Sequence, residues 1–373
     1  MRALVDEVAS TPDPGESGAA HATAGTCELG ELPLESGATL PAASLFFEAY
    51  GHLDAQASNA VLLFHGLSAD SHLASGSHDA TPGWWEQVVG PGRGVDTDEW
   101  FVVCANVLGG CFGSTGPRTL APDGRLWAAD FPEVSIRDQA AAAARLGPLL
   151  GVRRWAAVIG PSYGGMHALE FAVTYGDLVE RSAVIAAPPL TTAEQVASNT
   201  LQLALVTSEP EFRAGAHQGR PLAGLQLARR LGMLAYRGET ELDDRFGRTE
   251  QDDGSGRFAV DSYLDHGARK FAERFDPNSY VTLVTSKNTH DVGRGRGSAR
   301  RALETVRHPT LVIGIDSDQL FPLRQQEFIA RHIPSSVTGD RPLVLESAHG
   351  HDSFLIEQEW VGIQLSKLLH DSS

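Results

Sequence analysis

From about residue 59 onward, short β-rich runs alternate with longer helical patterns, the signature of βα units joined into a mostly parallel sheet. The apolar runs 60–64, 100–105, 155–159, 182–186, 310–315 and 343–345 are brief and mostly non-alternating. That pattern predicts central strands covered on both faces. Three helical patterns fall between or after them. SIRDQAAAAARLGPLL opens on Ser135 with Asp138 three residues later, the spacing of a capping box. SYGGMHALEFAVTYGD sets Met166, Leu169 and Val173 on one face, and DSFLIEQEWVGIQLSKLL predicts a C-terminal helix.

The middle of the chain breaks this alternation. After Pro188 and Pro189 come TTAEQVASNTLQLALVTS, GLQLARRLGMLAYRG and FAVDSYLDHGARKFAERFD, three helical patterns with no convincing strand between them. Polar, Gly-containing stretches at 249–257 and 288–301 separate or follow them. Residues 188–300 therefore read as a helical lid inserted into an α/β core formed by 26–187 and 301–373. Residues 1–25, with no basic start followed by an apolar stretch, read as a disordered tail and not as a signal peptide.

Composition narrows the function classes. With 30 Lys and Arg against 47 Asp and Glu, the net charge is −17, which argues against a nucleic-acid or anionic-membrane partner. The basic cluster Arg294, Arg296, Arg300 and Arg301 could attract a phosphate, but a solvated loop is the preferred reading. No run of about 18 apolar residues exists to span a membrane. Cys27, Cys104 and Cys111 fit neither a disulfide framework nor a zinc site, and a cytoplasmic setting is expected. Cys111 stands apart because it lies in a Gly-rich loop.

The chemistry centres on GPSYGG at 160–165, which fits G-x-S-x-G between the strand pattern WAAVIG and a helix. Such a turn pushes Ser162 onto a strained, exposed corner, and small residues at 160 and 164 avoid collision with the neighbouring strand and helix. A serine hydroxyl needs a base to take its proton and an acid to orient that base. With this elbow the acid follows the serine and the histidine comes last. His351, in a loop between the strand LVLES and the last helix, leads over His349 as the base. The acid is Asp316 or Asp318, both in the strand-end loop TLVIGIDSDQLFP, and spacing leaves them nearly equivalent. Tyr163 and, in HGLSADSH after the strand AVLLF, Leu67 supply the backbone N–H groups expected of an oxyanion hole. His349, His351 and Asp352 lack a companion ligand set of recognisable spacing, so no metal site is expected.

From about residue 45 onward the chain resembles the homoserine O-acetyltransferase family of α/β-hydrolase-fold enzymes. The likeness rests on HGLSADSH, GWWEQVVGPGRGVDTDEWFVVCANVLGGCFGSTGP, GPSYGGMHALEFA, LARRLGMLAYRGETELDDRF, RFAVDSYLDHGARKFAERFDPNSY, IDSDQLFP and GHDSFL. It implies an α/β-hydrolase fold with helices on both faces of a mostly parallel sheet. It further implies Ser162 as nucleophile, Asp318 as acid, His351 as base, Arg229 as the residue holding an amino-acid carboxylate and Asp352 as the one holding its amino group. Those pairings suit a guanidinium fork and a carboxylate. The resemblance also implies acetyl-CoA as a co-substrate with no bound cofactor, an acyl-serine intermediate, and homodimers formed through the lid helices. The alternatives are a serine hydrolase with the same triad, an acyltransferase for another hydroxyl acceptor or acyl-CoA, and a catalytically silent small-ligand receptor.

Overall fold

The computed structural model describes residues 20–213 and 220–371. Eight strands form one sheet: β1 (Ala22–Pro33), β2 (Thr39–Tyr50), β3 (Ala60–Leu63), β4 (Phe101–Ala105), β5 (Ala157–Pro161), β6 (Ser182–Ile185), β7 (Thr310–Ile315) and β8 (Leu343–Leu345). Their spatial order is β1-β2-β4-β3-β5-β6-β7-β8. β2 pairs antiparallel with both β1 and β4, and every pairing from β4 to β8 is parallel. The family's implied fold is thus present, with six strands close to the apolar runs of the sequence.

The central strands carry apolar residues on both faces because both faces are covered. Leu62 and Val158 point into a core layer with Ala140, Ala143 and Leu146 of α1 (Ile136–Leu149) and Phe171 of α2 (Tyr163–Thr174). Their neighbours Val61, Leu63, Ala157 and Ile159 point the other way, toward Val361, Leu365 and Leu368 of the C-terminal helix Gln358–His370. α1 starts where its capping box predicts: Ser135 accepts from the Asp138 N–H and the Asp138 carboxylate accepts from the Ser135 N–H.

β1 and β2 are not foreshadowed by the pattern. The tail expected over 1–25 lies largely outside the described residues, but Ala22–Gly25 belong to β1 and pair with β2. Between β6 and β7 the described chain is helical: α3 (Ala193–Thr207), the short turn Pro210–Arg213, α4 (Ala223–Tyr236), α5 (Glu239–Phe246), α6 (Ala259–Arg274), α7 (Pro277–Asn288) and α8 (Ala299–Leu303). α5, α7 and α8 were not among the expected helices, and α8 begins inside the stretch 288–301 that read as polar and Gly-containing. Leu225, Phe271, Phe275, Tyr280 and Leu283 from this region close over Tyr163 and Met166 of α2 and over Phe321. α9 (Leu323–His332) completes the sheet's cover, packing Ile329 against Val312. Among the described residues no helix is long and apolar enough to cross a membrane.

Candidate active site

All the pieces of the site lie at the C-terminal edge of the sheet, where open α/β sheets bind ligands. Ser162 directly follows β5, with φ 58° and ψ −124°, a conformation costly for a residue with a side chain. The surroundings enforce it. A Cβ on Gly160 would sit 2.0 Å from the Gly164 carbonyl oxygen, and one on Gly164 would sit 2.1 Å from that of Phe64. The Ser162 N–H donates to the Ile185 carbonyl at 2.8 Å, which ties the corner to β6.

His351, in the turn after β8, brings Nε2 to 2.6 Å from Ser162 Oγ and Nδ1 to 2.7 Å from Asp318 Oδ2. Only 3 % of His351 is exposed, and its ring is walled by Phe321 and Phe354 edge-on. Asp318 also accepts from the Phe321 N–H at 2.9 Å, so its carboxylate is held from a second side. The two acids that spacing left open are now separated. Asp316 is exposed, accepts from the Ser347 N–H at 3.0 Å and touches no histidine among the described contacts. His349 is half-buried, with Nδ1 3.8 Å from Glu241 and Nε2 4.0 Å from Glu357.

Leu67 and Tyr163 line the same cavity as Ser162. Tyr163 opens α2, so its N–H has no intrahelical acceptor and is free to face an oxyanion. The Leu67 turn is held by residues that sequence reasoning left out. His65 lies 2.7 Å through Nδ1 from the Gly66 carbonyl and accepts from the Val107 N–H through Nε2. That pairing puts the proton on Nδ1. Glu48 on β2 holds Ser71 and His72 at the end of the same loop. From α6, Arg274 donates to the Ser68 carbonyl, faces Asp70 at 3.9 Å and stacks over Phe112.

The cavity encloses about 650 Å³, its open mouth included, and takes in Arg229, Tyr236, Lys287, His351 and Asp352. Arg229 from α4 lies over the Phe271 ring at 4.7 Å and the Tyr236 ring at 5.2 Å. Its Nε is buried with no hydrogen-bond partner. Burial pushes the Asp352 carboxyl up, while His351, Arg237 and Arg229 pull it down. Arg237 Nε is 3.5 Å from Asp352 Oδ2. Lys287 escaped the sequence reading altogether. Burial pushes the Cys111 thiol up to about 11, away from the thiolate form.

The basic cluster is largely spoken for. Arg296 pairs with Glu170, Arg294 with Glu35 and Arg300 with Glu304. Among the described residues no group of three or more His, Cys, Asp or Glu is arranged to hold a metal ion.

A mostly parallel sheet that delivers a strained serine, a buried aspartate and a buried histidine from the ends of β5, β7 and β8 defines a protein of the α/β-hydrolase fold. The profile of that fold, described as alpha/beta hydrolase fold, matches residues 59–358. A homoserine O-acetyltransferase from Leifsonia xyli subsp. xyli is 49 % identical over 353 residues, covering 91 % of this chain and 88 % of that protein. The chain belongs to the homoserine O-acetyltransferase family. The crystal structure of homoserine O-acetyltransferase from Bacillus anthracis is similar with a TM-score of 0.87 at 26 % identity, covering 94 % of this chain and 98 % of that one. Esterase E22 is similar with a TM-score of 0.82 at 25 % identity, covering 92 % and 100 %.

Proposed function

We propose that the protein transfers the acetyl group of acetyl-CoA to the hydroxyl of L-homoserine through an acyl-serine on Ser162. The observation that carries this reading is the unbroken relay Ser162–His351–Asp318, opening into a cavity that also presents Arg229 and Asp352. In the first half-reaction His351 Nε2 takes the Ser162 proton as Oγ attacks the thioester carbonyl. The N–H groups of Leu67 and Tyr163 hold the oxyanion, and the departing CoA sulfur takes the proton back from His351. In the second, the acceptor hydroxyl gives its proton to His351 and attacks the acyl-serine, and the proton returns to Ser162. Asp318 keeps Nδ1 protonated and stabilises the imidazolium. General-base help is worth about 10²–10⁴-fold and each oxyanion donor about 10²–10³-fold.

The acceptor is a zwitterion, and the cavity supplies a matching pair: the Arg229 guanidinium for its carboxylate and Asp352 for its ammonium. Residues 188–300 serve as the lid over a core formed by the sheet from Ala22 to residue 187 and by 301–373, keeping water from the acyl-serine. Leu201, Leu227 and Leu234 are exposed on helices α3 and α4, which supports a homodimer through those helices; sedimentation checks it. Three free cysteines suit a reducing compartment, and the cytoplasm is the setting this reading assigns.

The similarity to esterase E22 favours one second reading, in which water replaces the amino-acid acceptor. Incubation with acetyl-CoA, with and without L-homoserine, separates the two. Transfer predicts O-acetylhomoserine, and an acetyl adduct on the intact protein that is absent in Ser162→Ala. CoA release at one rate in both mixtures, without O-acetylhomoserine, refutes transfer.

A further inference from the structure

The loop that carries the Leu67 N–H ends on a buried carboxylate. Glu48, on β2 and 7 % exposed, is met by three donors. Ser71 Oγ lies 3.0 Å from its Oε1, while the Tyr50 hydroxyl and His72 Nδ1 lie 2.8 and 2.9 Å from Oε2. The Tyr50 oxygen already accepts from the Leu73 N–H, and the Ser71 oxygen from the Asn106 amide, so both hydroxyl protons point at Glu48. A carboxyl that accepts on both oxygens carries no proton of its own.

His72 answers that charge. Its Nδ1 faces Glu48, and its Nε2 lies 2.8 Å from the Thr81 carbonyl oxygen, which can only accept. A neutral imidazole has one N–H and one lone pair and satisfies one of these contacts; the imidazolium satisfies both. Burial alone would pull His72 down, but its hydrogen bonds to Glu48 and Thr81 and the charges of Glu48 and Asp79 outweigh it and raise it above 6.5. The other titratable groups about the pair agree. Burial pushes Tyr50 and Cys104 up, so both stay neutral, while Asp70, Asp79 and Glu86 are acids that suit a charged ring. Arg274 acts on Asp70 and His78 on Asp79.

The same loop is tied to the end of β4. The Ser71 N–H donates to Asn106 Oδ1 at 2.7 Å, and Val107, the next residue, donates to His65. Leu67 thus hangs between an anchor at His65 and one at Ser71 and His72. Without its proton, His72 must turn a lone pair toward either the Glu48 carboxylate or the Thr81 carbonyl, and one attractive contact becomes repulsive. An oxyanion donor is effective only when it is fixed before the charge develops.

We infer that Glu48 and His72 are positioning residues for acyl transfer: as an ion pair they hold the Leu67 N–H in place for the oxyanion, and the hold requires the proton on His72. The inference rests on the acyl-transfer reading.

The test follows kcat/KM for acetyl-CoA with pH, at saturating L-homoserine, in the wild type, His72→Gln, Glu48→Gln and Tyr50→Phe. In a ping-pong reaction this quantity reports the free enzyme and the acylation of Ser162, so the ionisation of the acceptor does not enter. The wild type should gain activity as His351 becomes a free base and lose it again on the alkaline side of 6.5 as His72 gives up its proton. His72→Gln should be about tenfold lower near neutrality, less than the 10²–10³-fold of a deleted oxyanion donor, and should meet the wild type at the alkaline end with no limb of its own. Glu48→Gln should move the limb to lower pH. Tyr50→Phe, the mildest change, takes one donor from Glu48 and should move it to higher pH. A merely structural role would lower activity and leave the profile where it is. An active wild type without an alkaline limb, a limb that survives His72→Gln, or one that Tyr50→Phe leaves in place overturns the inference alone. No CoA release from acetyl-CoA at any pH overturns the acyl-transfer reading and the inference with it.

Discussion

Replacing Lys287 by methionine should stabilise the free protein, and by an amount that depends on pH. Lysine normally titrates at 10.5, and burial in the cavity lowers Lys287 to about 8. At roughly 1.4 kcal/mol per pH unit, keeping this ammonium charged inside the fold costs about 3 kcal/mol. Methionine is of similar length and carries no charge, so it removes that cost without opening a void. The sign follows from linkage. The folded protein binds this proton less tightly than the unfolded chain, so the wild type is depressed at every pH below about 8. Its stability recovers as pH rises from about 8 toward 10.5, where only the unfolded chain still holds the proton. The methionine advantage should therefore be largest near neutrality and shrink by about 2 kcal/mol by pH ~9.5. Urea unfolding of both proteins at the two pH values measures it. A variant less stable than the wild type at neutral pH, or a gap that does not narrow on the alkaline side, refutes the reasoning.

Three further outcomes check other parts of the site. Asp318→Asn should lower kcat by about 10⁴-fold because the amide no longer fixes the His351 tautomer, whereas Asp316→Asn should stay within a few-fold; steady-state kinetics with the reverse order would move the acid to 316. Gly164→Ala should lose about 1–3 kcal/mol or more, since its Cβ would meet the Phe64 carbonyl oxygen at 2.1 Å, and a thermal midpoint equal to the wild type's would contradict the packing. Arg274→Ala frees the Leu67 turn from α6 and should reduce kcat by about tenfold with little change in KM, less than the 10²–10³-fold of a deleted oxyanion donor. A change confined to KM would assign Arg274 to substrate binding instead.

Much of the fold was legible because its signals are local. Six strands announce themselves as short apolar runs; five are buried on both faces and need no alternation, and β8, at the sheet edge, is half-buried. Ser135 and Asp138 identify the start of α1 by chemistry confined to three residues. Where the signal is not local, the reading ran short. β1 lies at the sheet edge with many exposed positions, and its twelve residues are strands because β2 pairs with them. α7 carries β-branched Val281, Thr282, Val284 and Thr285, which read against a helix. It is buried on most sides, leaving no clear polar stripe, although Asp276 caps it and Pro277 begins it.

The same division runs through the site. Residues 160–165 by themselves determined where the strained serine stands, because strand, turn and helix are contiguous and the glycines answer to collisions only a few residues away or across one strand. Chain order then pointed to His351 for the base. It did not separate Asp316 from Asp318 by spacing, because two residues of one loop differ only in which way their side chains face. The tertiary structure decided that: Asp318 turns inward to His351 Nδ1 and Asp316 outward to Ser347. Only the tertiary structure could bring Lys287, on a helix with no motif of its own, into the cavity of Ser162. Its charge takes its meaning from the absence of a neighbouring carboxylate among the described contacts, and that is a property of packing between elements far apart in the chain.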